Sequence, residues 1–182
     1  MSRLGAADNL KWLQEQGEFN FINGDVRNAN DVENVIRSKK PDVVFHVAGQ
    51  VAMTKSNASG NLISYTMQEL RSGNIPTYGP CEQPYNFTYI DDVISALYIL
   101  GKVEKHSQNG YFIGNGECRI LKEYLQSVAK TVGGKVGIGI RVDDGVKYQS
   151  SWFENKLLQD ELGFRPKYKF EDGLKEMLAS EK

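Results

Sequence analysis

The sequence predicts an α/β fold in which an incomplete parallel β-sheet is followed by a small α/β lobe. Near the start of the chain, two strand-like segments flank one amphipathic helix within about thirty residues, which is the pattern of a βαβ unit. Further along, helix-like segments alternate with short apolar segments and end at glycine or proline. We therefore predict a partial sheet in residues 1–56 and a C-terminal lobe in residues 57–182.

The predicted helices are identified by apolar residues at helical spacing and by the residues that cap or stop them. Residues 6–16 carry Leu10, Trp12 and Leu13 in a polar background and end near Gly17. In residues 121–132 the inward face comprises Tyr124, Leu125 and Val128. Seven helices are predicted in all, at residues 6–16, 30–38, 62–71, 91–100, 121–132, 152–162 and 170–179.

The predicted strands are shorter and rest on apolar runs bounded by turn residues. Residues 19–23 and residues 43–45 form the first pair, and the continuous Val-Val-Phe of the second is typical of a parallel strand covered on both faces. In the C-terminal lobe, residues 87–90 and 111–113 are the strand candidates. Residues 74–84 contain three prolines and a glycine and are predicted to be a loop.

Composition excludes several classes of partner. Lys and Arg total 22 against 23 for Asp and Glu, so a net charge of −1 gives no reason to expect nucleic acid or an anionic membrane as partner. The chain has only two cysteines and two histidines, with no CxxC pair, so we predict no metal site. No apolar run is long enough to span a bilayer and no signal region is visible, so the expected compartment is the cytoplasm.

Small residues follow both strands of the predicted parallel pair. Gly24, Asp25 and Val26 come after the first strand, and Ala48 and Gly49 come after the second. Ligands of such sheets bind at the carboxyl ends of the strands, where an aspartate can accept a hydrogen bond from an adenine amino group. The alternative is structural: a Gly-Asp turn and the start of an ordinary loop.

Several motifs together resemble the extended short-chain dehydrogenases/reductases, the family of NAD-dependent sugar-nucleotide epimerases and dehydratases. They are Gly24-Asp25-Val26-Arg27-Asn28, His46-Val47-Ala48-Gly49-Gln50, Tyr89-Ile90-Asp91-Asp92-Val93, Tyr111-Phe112-Ile113-Gly114-Asn115-Gly116 and Leu162-Gly163-Phe164-Arg165-Pro166. The resemblance implies an incomplete Rossmann-like sheet, NAD as cofactor and a nucleotide-linked sugar as substrate.

The same resemblance assigns roles to individual residues. Asp25 and Val26 would hold the adenine. Four residues would line the nicotinamide-side ribose and the phosphates: Val47, Ala48, Gly49 and Gln50.

Two departures from the family pattern bear on activity. The chain contains no Gly-x-x-Gly-x-x-Gly loop, and its one Tyr-x-x-x-Lys, formed by Tyr98 and Lys102, lies after the wrong motif and in the wrong lobe. Tyr85 stands where many members have an arginine that touches the nucleotide diphosphate. We therefore assign no catalytic residue and expect this chain alone to be inactive.

Two other functions remain open at this stage. One is a non-catalytic module that binds a nucleotide sugar or a protein and self-associates through exposed sheet edges. The other is a decayed gene remnant whose product folds poorly.

Three further features have a functional and a structural interpretation. Gly114-Asn115-Gly116 imitates a phosphate loop but lacks the third glycine. His46 resembles an acid or base but is more typical of a packed strand residue. Asp91 and Asp92 are expected to cap the following helix rather than to act as a carboxylate pair.

Overall fold

The computed structural model describes residues 6–45, 62–105, 107, 110–143, 145, 149–150 and 155–180. The chain divides into two compact units, Met1–Gln50 and Val51–Lys182. We call them unit 1 and unit 2. None of the helices in the described ranges is both long enough and apolar enough to cross a membrane.

Residues 6–45 of unit 1 form two helices, α1 (Ala6–Gln16) and α2 (Ala29–Lys39). Both lie where the sequence predicts them. Helix α2 begins at an asparagine cap, because the side chain of Asn28 accepts a hydrogen bond from the backbone N–H of Asn30 at 3.1 Å. The cap is therefore Asn28, and the helix begins one residue before its predicted start at residue 30.

The two predicted parallel strands are not formed in the described part of unit 1. Residues 19–23 and 43–45 carry no strand pairing, and Phe21 and Phe45 are each 50% exposed. Both segments have strand-like side chains, but a strand also needs a hydrogen-bonded neighbour. None of residues 7–45 is buried, so the large apolar side chains in this described part of the unit are exposed.

The described part of unit 2 contains five helices and two short strands. In chain order these are α3 (Leu62–Arg71), β1 (Pro84–Tyr85), α4 (Ile90–Lys102), β2 (Arg119–Ile120), α5 (Leu121–Val132), α6 (Lys156–Leu162) and α7 (Phe170–Ser180). The two strands pair antiparallel, with Tyr85 opposite Arg119 and Pro84 opposite Ile120. The strands predicted at residues 87–90 and 111–113 are wrong, and the observed strands lie beside those segments instead.

The main core of unit 2 lies between α3, α5 and α7. Met67 of α3, Tyr124 of α5 and Leu174 of α7 are almost fully buried there. Phe87 and Phe170 contact the Tyr124 ring edge-on, at centroid distances of 5.0 and 4.7 Å. Burying one such side chain contributes about 1.5–3 kcal/mol, so this cluster is the main source of stability in the described chain. The predicted inward face of α5, formed by Tyr124, Leu125 and Val128, is confirmed.

A second cluster joins α4 to α6 and the segment after it. Ala96, Leu158 and Phe164 are buried together. Beside them the carboxylate of Asp92, itself 1% exposed, accepts hydrogen bonds from the backbone N–H groups of Lys167 at 2.9 Å and Tyr168 at 3.1 Å. Asp92 therefore ties the α6–α7 connection to α4 and does not cap its own helix.

Candidate functional site

The turn at Asp25 is held in shape by the first turn of α2. The backbone N–H of Asp25 donates to Asp31 Oδ2 at 3.0 Å, and the side-chain amide of Asn28 donates to Asp31 Oδ1 at 3.0 Å. The backbone N–H of Asn28 also donates to the carbonyl of Asp25 at 2.8 Å. Asp31 thus fixes the backbone conformation of the turn at Asp25.

The carboxylate of Asp25 is paired with the guanidinium of Arg27. Arg27 Nη2 lies 2.6 Å from Asp25 Oδ2, and Nε lies 3.0 Å from both carboxylate oxygens. The hydrogen bond from the Arg27 side chain lowers the pKa of Asp25 to about 2, and the same bond raises the pKa of Arg27. The Asp25 carboxylate is therefore ionised throughout the physiological pH range.

This pair lies at the surface. The side chains of Arg27 and Asp25 are 87% and 45% exposed, and Val26 between them is also exposed. A ligand amino group can reach the carboxylate by displacing the arginine, and the Val26 side chain is free to cover one face of a planar ring. The chemistry available here is hydrogen-bond acceptance next to an apolar contact.

Of the predicted site residues, the structure places Asp25 and Val26 side by side on this turn. Val47, Ala48, Gly49 and Gln50 lie outside the described residues, as does His46. Arg27 and Asp31 are the residues that sequence reasoning missed. The signals were present as an Asp-x-Arg pair and an Asn-x-x-Asp spacing at the helix start.

The Tyr-x-x-x-Lys pair of unit 2 is a surface feature of α4. The ammonium of Lys102 lies 4.1 Å from the centroid of the Tyr98 ring, and the tyrosine is 61% exposed. The spacing does bring both residues onto one helical face, as predicted. The contact is a cation–π interaction that stabilises the end of the helix.

The Gly114-Asn115-Gly116 loop uses its own polar groups internally. The backbone N–H of Asn115 donates to Asn86 Oδ1, and that of Glu117 donates to Asn115 Oδ1 at 2.8 Å. The carbonyl of Gly114 accepts from the Asn155 side chain at 2.6 Å. The N–H groups of Asn115 and Glu117 are thus already engaged and are not available to a phosphate.

Arg119 of β2 is paired with Tyr85 of β1 in the two-stranded sheet. Arg119 is held by Glu171 at 2.6 Å and by Glu117 at 2.5 Å, and it stacks near the ring of Tyr124. The hydrogen bond from Arg119 lowers the pKa of Glu171 to about 2. Because two carboxylates neutralise it, this arginine does not stand in for the missing cation at position 85.

The first part of the chain is similar in sequence to known proteins. Residues 1–62 match the NAD dependent epimerase/dehydratase family. Over 56 residues the chain is 57% identical to CDP-paratose 2-epimerase of Salmonella typhi, which is 31% of this chain and 17% of that enzyme. Residues 1–62 are therefore similar to the NAD dependent epimerase/dehydratase family.

Solved epimerases and dehydratases share the fold. The chain aligns with UDP-N-acetylglucosamine 4-epimerase from Bacillus cereus at a TM-score of 0.57 and 19% identity, over 68% of this chain and 44% of that one. It aligns with dTDP-glucose 4,6-dehydratase from Bacillus anthracis, solved in complex with NAD, at 0.55 and 20% identity, over 65% and 38%. The predicted α/β class is thus confirmed. The chain spans well under half the length of each of these epimerase/dehydratase relatives.

Proposed function

We propose that this chain is a non-catalytic derivative of an NAD-dependent nucleotide-sugar epimerase/dehydratase, and that its first unit retains the contact with adenine. One observation carries the proposal. An ionised carboxylate, Asp25, is held by α2 on an exposed turn, with Val26 beside it. In the proposed complex the Asp25 carboxylate accepts the adenine amino group and Val26 covers the ring, while residues 47–50 line the ribose and phosphates.

Absence of catalysis is supported by the position of the Tyr-x-x-x-Lys pair. In this superfamily's proton-transfer chemistry the lysine must act on the tyrosine hydroxyl beside the bound sugar. Here Lys102 lies over the ring face of Tyr98 on an exposed helix surface. The proposed role is therefore nucleotide binding, with a nucleotide sugar as the second ligand. The proposed compartment is the cytoplasm, where Cys81 and Cys118 stay reduced. Neither cysteine forms a disulfide in the structure.

Calorimetric titration of the whole chain tests the adenine site. NAD and ADP-ribose should bind, whereas nicotinamide mononucleotide, which lacks adenine, should not. Asp25→Ala should weaken NAD binding by roughly tenfold or more, since a charge-assisted hydrogen bond is lost. Asp42→Ala, which alters an exposed aspartate of the same unit, is the matched control and should bind normally.

Two results would overturn the two halves of the proposal separately. Equal NAD affinity for Asp25→Ala and the unchanged chain would remove Asp25 from the site. Turnover of CDP-, UDP- or dTDP-hexoses by the pure chain with NAD would refute the absence of catalysis and leave the binding site in place.

A second candidate function is protein interaction through unit 1. It is favoured by the large apolar side chains that this unit exposes, which include Trp12, Phe19, Phe21, Val44 and Phe45. If the protection of residues 6–45 from amide exchange increases with protein concentration, this function is supported. Exchange that stays fast at every concentration would count against it.

A further inference from the structure

Helix α4 has an apolar stripe on the side that faces away from its core. Ile90, Ile94 and Tyr98 are 59%, 56% and 61% exposed. Their spacing of four residues places them on one line along the helix. The opposite side of the same helix is buried, with Asp92 and Ala96 almost inaccessible.

Opposite charges flank this stripe at its two ends. Asp91 lies in the first turn of α4 and Lys102 in the last, and both are exposed. At 1.5 Å per residue they are separated by about 16 Å along the axis. Between them the stripe carries no other charged residue.

We propose that α4 pairs with α4 of a second copy of this chain, antiparallel and related by a two-fold axis near residue 96. Residues 94 and 98 are equidistant from that axis, so Ile94 of each copy packs on Tyr98 of the other. Asp91 lies five residues before the axis and Lys102 six after it. The same rotation therefore brings Asp91 of each copy beside Lys102 of its mate, which is the self-complementarity that an isologous interface requires.

Charge also selects the direction of pairing. A parallel pair would place Asp91 against Asp91 and Lys102 against Lys102, and like charges in contact disfavour association. In the antiparallel pair, each Lys102 keeps its place over the ring of its own Tyr98 and gains a carboxylate from the other copy.

The contact is small, because it uses one face of a 13-residue helix. Interfaces of this size are transient, and we expect a dissociation constant on the order of tens of micromolar. This pairing is independent of the proposed adenine site, and either can fail without the other.

Sedimentation velocity of the whole chain, from low micromolar to submillimolar concentration, tests the pairing. The unchanged chain should shift from monomer to dimer across this range. Ile94→Glu should remain monomeric, because it places two carboxylates in the centre of the contact. Val142→Glu, which adds the same charge at a side chain that is 93% exposed in another part of unit 2, should dimerise normally.

A charge-reversal series tests the geometry. Asp91→Lys and Lys102→Glu should each weaken the dimer by about fivefold or more, since each creates a like-charge contact at both ends of the interface. The double variant should recover most of the affinity. Circular dichroism of each variant verifies that the helices are intact.

Three outcomes would overturn the proposal. The first is a monomer at every concentration. The second is a dimer that survives Ile94→Glu but is lost in Val44→Glu, which would place the contact on unit 1. The third is a double charge variant that is no better than the two single ones, which would exclude the antiparallel pairing.

Discussion

At the scale of single residues, the Asp25 turn shows how an exposed carboxylate is kept ionised by a neighbour of opposite charge. Arg27 holds the carboxylate in its ionised form and occupies the position that a ligand donor would take. In the proposed adenine site, a ligand that displaces the arginine would meet a charged acceptor on a turn that Asp31 and Asn28 hold in shape.

Removing the arginine should therefore be visible in the titration of the aspartate. In Arg27→Ala the pKa of Asp25 should rise from about 2 toward its ordinary value of 3.8. Carbon-detected NMR of the carboxyl groups measures it directly. Arg37→Ala, which breaks the Arg37–Glu33 pair on the exposed side of α2, should leave the Asp25 titration unchanged.

Asp91 and Asp92 are adjacent in sequence but differ in what surrounds them. Asp92 is buried and accepts two backbone N–H groups from the α6–α7 connection, whereas Asp91 is exposed. Asp92→Asn would keep one acceptor oxygen but turn an NH2 donor toward one of these N–H groups, and it should lower the free energy of unfolding by about 2–3 kcal/mol. Asp91→Asn should cost about 0.5 kcal/mol at most. Urea unfolding followed by circular dichroism compares them, and equal losses would contradict the role of Asp92.

At the scale of elements, the ion cluster around Arg119 links the two-stranded sheet to two helices. Arg119 of β2 pairs with Glu171 in the first turn of α7, and Ser127 of α5 donates to the same carboxylate at 3.1 Å. Glu171 lies at the helix N-terminus, where a negative charge is also favoured by the helix dipole.

This cluster should make unfolding depend on pH. The pKa of Glu171 in the folded chain, about 2, lies below its ordinary value of 4.5. Its contribution is therefore complete above about pH 5 and is lost as pH falls toward 2. Because the side chain is 38% exposed, we discount the contribution to about 1 kcal/mol.

Glu171→Gln should flatten that part of the stability profile. Urea midpoints at pH 6 and pH 3 should differ less for this variant than for the unchanged chain. Glu123→Gln, which alters an exposed carboxylate of α5, should keep the full difference. An identical pH profile for all three proteins would show that Glu171 is not the group responsible.

The elements also show what can be predicted from sequence. Helices α1, α3 and α5 begin and end where their apolar spacing and stop residues indicate, because helix hydrogen bonds are local. Strands depend on partners elsewhere. Residues 19–23 have a strand-like composition but no pairing, while Pro84–Tyr85 and Arg119–Ile120 pair without an obvious pattern.

Part of the candidate site could also be predicted from the sequence, and part could not. Gly24-Asp25-Val26 is recognisable from the chain alone, since turn residues follow an apolar run. The pairing of Asp25 with Arg27, the support from Asp31 and the neutralisation of Arg119 by two glutamates depend on side-chain geometry. The Asp-x-Arg and Asn-x-x-Asp spacings bring such residues near one another, but they do not indicate which of several nearby charges will pair.

At the scale of the whole molecule, the two units differ in how they are stabilised. Every buried residue of the described chain belongs to unit 2, whose three-helix core surrounds Tyr124. In unit 1 the described helices are stabilised mainly by local contacts such as the Asn28 cap and the Asp31 bonds. Helices of 11 residues with only local support are marginal in water.

When residues 1–50 are deleted, unit 2 should therefore unfold in the same way as it does in the full chain. We expect a single cooperative transition with a midpoint within about 3 °C of the full chain, since a shift of that size corresponds to less than about 1 kcal/mol. Differential scanning calorimetry of residues 51–182 and of the full chain measures it. Deletion of residues 170–182 is the control, because it removes Phe170 and Leu174 from the core and should abolish the transition. Amide exchange of the full chain should in turn be fast in α1 and α2 and slow in α5. A midpoint more than about 10 °C lower after removal of residues 1–50 would contradict this division of stability, because only buried contacts of unit 1 could account for a loss of that size.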